Sequence, residues 1–222
     1  MSSSIENFLK TIYCFCNLEA RDTKPGSIAS ALGISNAAAT DMARKLSEKN
    51  LVVYQKYRPL NLTPKGERIA LQVIRKHRLW ETFLYRTFNM SLHEIHVEAE
   101  KLEHATSDRM ADILWNYLEK PNFDPHGDPI PNVFGFVDSE KDSLVLFKAE
   151  ESQIYKIVRL VSDDEEFYNF CQDNQLEIGS EVQLVKQYAN NKLTEIAIQG
   201  RQIIIPKEFS NNIYVKKIKT II

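Results

Sequence analysis

Apolar residues recur at intervals of three and four at Ile5, Phe8, Leu9, Ile12, Phe15 and Cys16, which predicts a helix over 5–18 with one buried face. Lys24, Pro25 and Gly26 then break the pattern. Beyond the break, 27–32 reads as a short helix, Gly33 and Ile34 as a tight turn, and Ser35 as the side-chain cap of a further helix reaching Asn50. Short helix, glycine turn and longer capped helix are the helix-turn-helix pattern. Strand-like runs at 51–54 and 60–62 flank a tip carrying Lys56 and Arg58, which adds a wing. Thr63 caps the next helix, with Pro64 at the first helical position, where a missing N–H costs nothing.

Helical periodicity continues over 64–88, 91–104 and 107–118. The segment 121–131 then carries four prolines and a glycine and marks a boundary. From Gln153 onward, alternating apolar runs at 154–161, 181–185, 195–198, 202–205 and 213–218 predict strands, with a short helix at 167–174. The expected fold is mainly α with a small β domain, divided at 1–63, 64–140 and 141–222.

Composition and charge narrow the function. At 222 residues, 43% hydrophobic and 26% charged, the chain is long enough to bury one or two cores. The net charge is only −2, yet ten basic residues lie between Arg44 and Arg78 against Glu48 and Glu67 alone. Such segregation suits one module facing phosphate and another facing a cation or water. Cys14, Cys16 and Cys171 form no CxxC pair, the N-terminus lacks an apolar signal region, and no apolar run approaches the roughly 20 residues that span a bilayer. A reduced cytoplasm and no membrane partner are expected.

The helix beginning after Ser35 offers Ser35, Asn36, Ala38, Ala39, Thr40 and Asp41 toward a major groove, with Arg44 and Lys45 one turn on. Alanines touch thymine methyls, Asn36 and Thr40 hydrogen-bond, and Asp41 accepts from a cytosine amino group while repelling phosphate. Arg44, Lys45, Lys56 and Arg58 supply phosphate contacts, so affinity for a double-stranded operator should fall with salt. A protein-docking winged helix with a solvated basic face is the rival reading. The joint basic character of wing tip and helix flank favours DNA.

Six metal-competent side chains, His77, Glu81, His96, Glu100, Glu103 and His104, fall within 28 residues. Residues four apart share a helix face, so His77 projects with Glu81, and His96 with Glu100, Glu103 and His104. Antiparallel packing of the two helices would bring both sets to a common ion. Carboxylates with some imidazole and no thiolate suit Mn2+ or Fe2+. Each residue taken singly reads equally well as surface charge; the six together do not.

The winged helix, HRLWE at 77–81, HVEAEKLEH at 96–104 and DPHGDPIP at 124–131 resemble, in this order, the diphtheria toxin repressor family of metal-dependent regulators, including the manganese transport regulators. The likeness spans nearly the whole chain. It implies a helical dimerisation and metal-binding domain, a C-terminal SH3-like (FeoA-like) β-barrel, a homodimer, and control of metal uptake genes. It also implies that His77, Glu81 and His96 form one metal site, completed from the C-terminal domain by Asp163 and Glu166, and that Glu100, Glu103 and His104 form the activating site. Glu100, where iron-responsive members carry cysteine, tilts the effector toward Mn2+. Two positions depart from the family. Asn7 offers a neutral amide oxygen where members have methionine or aspartate, with Glu6 beside it. Lys10 replaces a further acidic position and argues against a two-metal cluster.

An enzyme is not expected. The chain has no repeated Glu-x-x-His, His93 to His96 is one residue short of HExxH, and HVE at 96–98 lacks a downstream PCxxC. The remaining alternative is a metal-independent winged-helix regulator answering to another small ligand. Phe83, Leu84, Phe88, Ile113, Leu114 and Trp115 are candidates for a dimer seam or for an intrachain core.

Overall fold

The computed structural model describes residues 1–18, 21–137, 142–162, 164–188, 190 and 192–218. The chain forms two compact units. The first holds Met1–Trp80, Glu98–Lys120 and Ile130–Val137; the second holds Glu81–Val97, Pro121–Pro129 and Asp138–Ile222.

In the first unit, α1 (Ser3–Asn17), α2 (Pro25–Ala31) and α3 (Asn36–Glu48) precede a two-stranded hairpin of β1 (Val52–Val53) and β2 (Asn61–Leu62). Pro25 starts α2 instead of breaking the chain, because its fixed φ suits the first helical position. Ser35 Oγ accepts from Ala38 N at 3.1 Å, and Thr63 Oγ1 accepts from Gly66 N at 3.1 Å, so both expected caps form. The core gathers Phe8, Leu9 and Ile12 from α1, Ile28 from α2, Ala39, Ala43 and Leu46 from α3, and Ala70 and Ile74 from α4 (Pro64–Phe88). Gly66 is required there: a Cβ on it would lie 2.0 Å from the Leu51 carbonyl oxygen.

Two further helices complete the middle of the chain, α5 (Leu92–Leu102) and α6 (Asp108–Tyr117), the latter capped by Ser107. Helix α5 ends sooner than its periodicity predicts. At Glu103 the chain tightens into a single 3-10 turn, Glu103–Ala105, closed by Thr106. Thr106 Oγ1 accepts from the Trp80 indole at 2.7 Å, which fastens the turn to α4.

The second unit is built on a six-stranded antiparallel sheet in the order β3-β8-β4-β5-β6-β7. Its strands are β3 (Ser143–Val145), β4 (Ile154–Leu160), β5 (Glu181–Tyr188), β6 (Leu193–Ile198), β7 (Arg201–Pro206) and β8 (Ile213–Lys217). Helix α7 (Glu165–Asp173) precedes β5 and a short α8 (Lys207–Ser210) precedes β8. Strand β3, which lies before the first predicted strand, is new. Alternation puts Tyr155, Ile157, Val182, Leu184, Ile196, Ile205 and Val215 into one core with Phe167 of α7. Among the described residues β3 and β7 end the strand order unpaired with each other, so the finding is a sheet domain and not a closed barrel.

Candidate metal centres and nucleic-acid interface

The first unit contains a buried cluster drawn from three helices. Helix α1 presents Glu6, Asn7 and Lys10 one turn apart; α4 presents His77; α5 presents Glu100; the 3-10 turn presents Glu103 and His104. Glu103 is 1% exposed and has two differently used oxygens. Its Oε2 accepts from the Lys10 ammonium at 2.8 Å and lies 2.6 Å from His77 Nδ1. Its Oε1 lies 3.3 Å from His104 Nε2, yet both atoms are buried without a hydrogen-bond partner among the described residues, as is Asn7 Oδ1. His104 Nδ1 faces Glu6 Oε2 at 2.6 Å. Lys10 also donates to Glu100 Oε1 and stands 3.4 Å from His77 Nδ1. Burial works against the charged ammonium, but Glu103 and Glu100 outweigh it and hold the Lys10 pKa above its ordinary value.

Leaving buried acceptors orphaned costs about 1–3 kcal/mol each, more when charged. Three such atoms together, an amide oxygen, a carboxylate oxygen and an imidazole nitrogen, fit a hard or borderline divalent cation. Glu100, Glu103 and His104 present ligand atoms within 4.8 Å of one another. Glu6, Glu100 and Glu103 against Lys10 leave a surplus of negative charge for such an ion to balance.

A second cluster lies wholly in the second unit. Glu81 of α4 and Asp124 and His126 of the 121–131 segment are all buried and bring ligand atoms within 4.8 Å of one another. His96 Nδ1 joins them, 3.2 Å from Glu81 Oε1. The segment is a shaped loop. Asp124 Oδ1 accepts from the backbone N–H groups of His126 and Asp128, at 2.9 Å each. Gly127 has φ +86°, and a Cβ there would lie 2.0 Å from the Val158 carbonyl oxygen, beside a β-bulge in β4. Leu160 N donates to the His126 carbonyl at 2.8 Å, locking the loop to β4. The His126 ring lies 3.1 Å through Nε2 from the Leu92 carbonyl, leaving Nδ1 3.6 Å from Glu81 Oε1. An imidazole held through one nitrogen by a backbone carbonyl offers the other to a metal, so these residues also fit a cation. Burial disfavours the charged ring, but Glu81, then Asp124 and Asp128, push the His126 pKa up to about 9.

His77 lies beside Glu103 and Glu100, and Glu81 beside His96, Asp124 and His126. Glu166 is exposed at the start of α7, outside the metal-competent groups among the described residues, and Asp163 lies outside the described residues. Asp124 and His126 went unselected as ligands because proline and glycine made their segment read as a boundary. Its metal-competent Asp124 and His126 were the available signal.

The recognition surface needs one correction. Ala39 is fully buried, with Ala43 and Leu46, on the α3 face that packs into the core, so it cannot reach a base. The reason is the helical period: 39, 43 and 46 share one face, which leaves Asn36, Ala37, Asp41 and Arg44 exposed on others. Ser35 and Ala38 are exposed, with Ser35 occupied as the cap. Thr40 is half-buried and its hydroxyl donates to Asn36 O at 2.8 Å, while Asp41 pairs with Lys45 at 2.7 Å. Lys56 and Arg58 stand exposed at the hairpin tip beside Tyr57, which is 82% exposed.

Comparison with known proteins covers most of the chain. Residues 1–60 match the iron-dependent repressor N-terminal DNA-binding domain, residues 63–132 the iron-dependent repressor metal-binding and dimerisation domain, and residues 145–217 the FeoA domain. The diphtheria toxin repressor of Corynebacterium glutamicum is 28% identical over 96% of both chains. The HTH-type transcriptional regulator MntR of Lysinibacillus sphaericus is 33% identical over 54% of this chain and 87% of its own. A solved manganese-dependent transcriptional repressor in complex with manganese superposes with a TM-score of 0.90 at 28% identity, covering 96% of this chain and all of that one. The manganese regulator SloR gives 0.79 at 31% identity, covering 98% of this chain and all of its own.

Proposed function

The chain belongs to the diphtheria toxin repressor family, which includes the manganese transport regulators, and on that premise we propose that it is a homodimeric, sequence-specific transcriptional repressor activated by Mn2+ or Fe2+ and controlling metal-ion uptake genes. The family consists of regulators and not of enzymes. No helix among the described residues is long and apolar enough to cross a membrane.

One observation carries the reading: the first helix of the DNA-reading part shares a buried cluster with α4, α5 and the 3-10 turn, and three of its donor atoms are orphaned. A divalent ion bound there supplies the positive charge those donors lack. Asn7 from α1, Glu100 from α5, and Glu103 and His104 from the turn would hold it. With the four converging, α1 is fixed to α5, and α2, α3 and the hairpin are fixed through the core they share with α1. In the metal-free protein the carboxylates of Glu6, Glu100 and Glu103 outnumber the Lys10 ammonium that joins two of them, so that core is held to α5 less firmly than with the ion bound. Activation is linkage: metal favours the DNA-competent arrangement by its differential affinity, and DNA raises metal affinity by the same factor. Glu81, His96, Asp124 and His126 would hold a second ion, with Asp163 retained as their candidate partner.

Two α3 helices must sit about one turn of DNA apart to read paired half-sites. Met110, Ile113 and Tyr117 are exposed on α6 at helical spacing and supply an apolar stripe for a homodimer. Arg44, Lys45, Lys56 and Arg58 would grip phosphates. The divisions 1–63, 64–140 and 141–222, with an SH3-like barrel last, complete the proposal.

The test is retention of duplexes from a random pool by chelator-treated protein, with and without MnCl2 or FeCl2. Retention that requires metal and is reversed by EDTA is expected. Equal retention in both conditions overturns the reading in favour of a metal-independent regulator.

A further inference from the structure

We propose that the Lys10 ammonium is a permanent second cation of the α1–α4–α5 cluster: it bridges Glu100 and Glu103 in place of a divalent ion, limits that cluster to one metal, and ties α1 to α5 before the metal arrives. This rests on the metal-site reading above.

The two oxygens of Glu103 carry the argument. On the Oε2 side stand Lys10, donating at 2.8 Å, and His77 Nδ1 at 2.6 Å, with Glu100 Oε1 accepting from the same ammonium. On the Oε1 side stands His104 Nε2, unpartnered like Oε1 itself. A carboxylate that bridges two cations uses one oxygen for each. Here the side lined by Glu100, Glu103 and His77 already holds positive charge, delivered by a side chain that cannot diffuse away. The other side has donors and, among the described residues, no lysine or arginine against them. Lys10 is 16% exposed and comes from α1, 90 and 93 residues distant in sequence from the carboxylates it joins. The pair is therefore a tertiary tie and not a local helix contact. Among the described residues the ammonium meets His77 on α4, Glu100 on α5 and Glu103 on the turn, while Glu6 of its own helix faces His104.

Two consequences follow. The metal-free protein keeps part of the closure that metal completes, so the DNA-binding range between empty and loaded forms is compressed. Replacing the ammonium by a carboxylate converts a one-metal cluster into a two-metal one.

The experiment measures Mn2+ stoichiometry by calorimetry and the electron paramagnetic resonance of the bound ions in full-length wild type and Lys10→Glu. The variant should take up one more equivalent and show the exchange-coupled spectrum of a manganese pair, which wild type lacks. Lys10→Met guards against misfolding of the first variant. Its metal-free form should melt below wild type, and Mn2+ should raise its melting temperature by more. Equal stoichiometry with no coupled spectrum, together with unchanged melting of metal-free Lys10→Met, overturns the proposal, as does a coupled pair in wild type. Absence of Mn2+ uptake by wild type and both variants instead removes the metal assignment, and this inference with it.

Discussion

The cluster around Glu103 and the cluster around His126 both set carboxylates against imidazoles and neutralise themselves by different means. The first answers its carboxylates with a lysine ammonium, whose pKa Glu103 and Glu100 hold above its ordinary value. The second answers Glu81, Asp124 and Asp128 with a proton on His126. A proton can be released to solvent when a metal enters, whereas a tethered ammonium must stay or swing aside. A donor list alone therefore does not define a metal site; the cation already present decides how an ion is admitted and at what pH.

Breaking the second cluster through its backbone should give the largest effect. Gly127→Ala sets a Cβ 2.0 Å from the Val158 carbonyl oxygen at φ +86°, and should cost about 3 kcal/mol of stability, read from chemical denaturation. Melting like wild type would mean that the loop is not the clamp described. Glu103→Ala removes the carboxylate that serves both sides of the first cluster. Calorimetry should show Mn2+ affinity there falling about 100-fold, a loss of about 2.7 kcal/mol, while the second cluster binds as before. A loss shared by both clusters would erase the distinction between them.

Asn7→Asp sharpens the contrast by adding an anion where the structure has an orphaned amide oxygen. An approximately tenfold gain in Mn2+ affinity, about 1.4 kcal/mol, is expected at the first cluster alone. The smallest effect concerns protons. His126 titrates in the folded protein near 9 against an ordinary 6.5, so its contribution to metal-free stability is complete below pH 6.5 and is lost as pH rises through about 9. Metal uptake by the second cluster at neutral pH should release about one proton, measured by calorimetry in buffers of different ionisation enthalpy, and should strengthen as pH rises toward that value. The first cluster should release none from Lys10.

Much of the fold was legible because it is written locally. Caps at Ser35 and Thr63, proline at a first helical position, and three-and-four periodicity in α1 and α4 each depend on residues within one or two turns. Helix α5 shows the limit. Its pattern continues through His104, but the chain tightens at Glu103, where Thr106 is held by Trp80 of another helix. Strand β3 is three residues long and pairs with β8 more than sixty residues on, so it leaves no periodic trace.

The sequence by itself determined the winged-helix pattern, the basic stretch from Arg44 to Arg78, and the six histidine and glutamate positions between 77 and 104, since spacing and residue chemistry are properties of the chain. Tertiary structure alone decided which of those residues share a site. It set His77 beside Glu103 and Lys10, set Glu81 beside His126 of a loop that composition marks as a boundary, and turned Ala39 inward. The physical reason is that ligand sets and ion pairs are closed by packing between elements distant in sequence. No local pattern specifies which oxygen of Glu103 meets an ammonium and which is left for a metal.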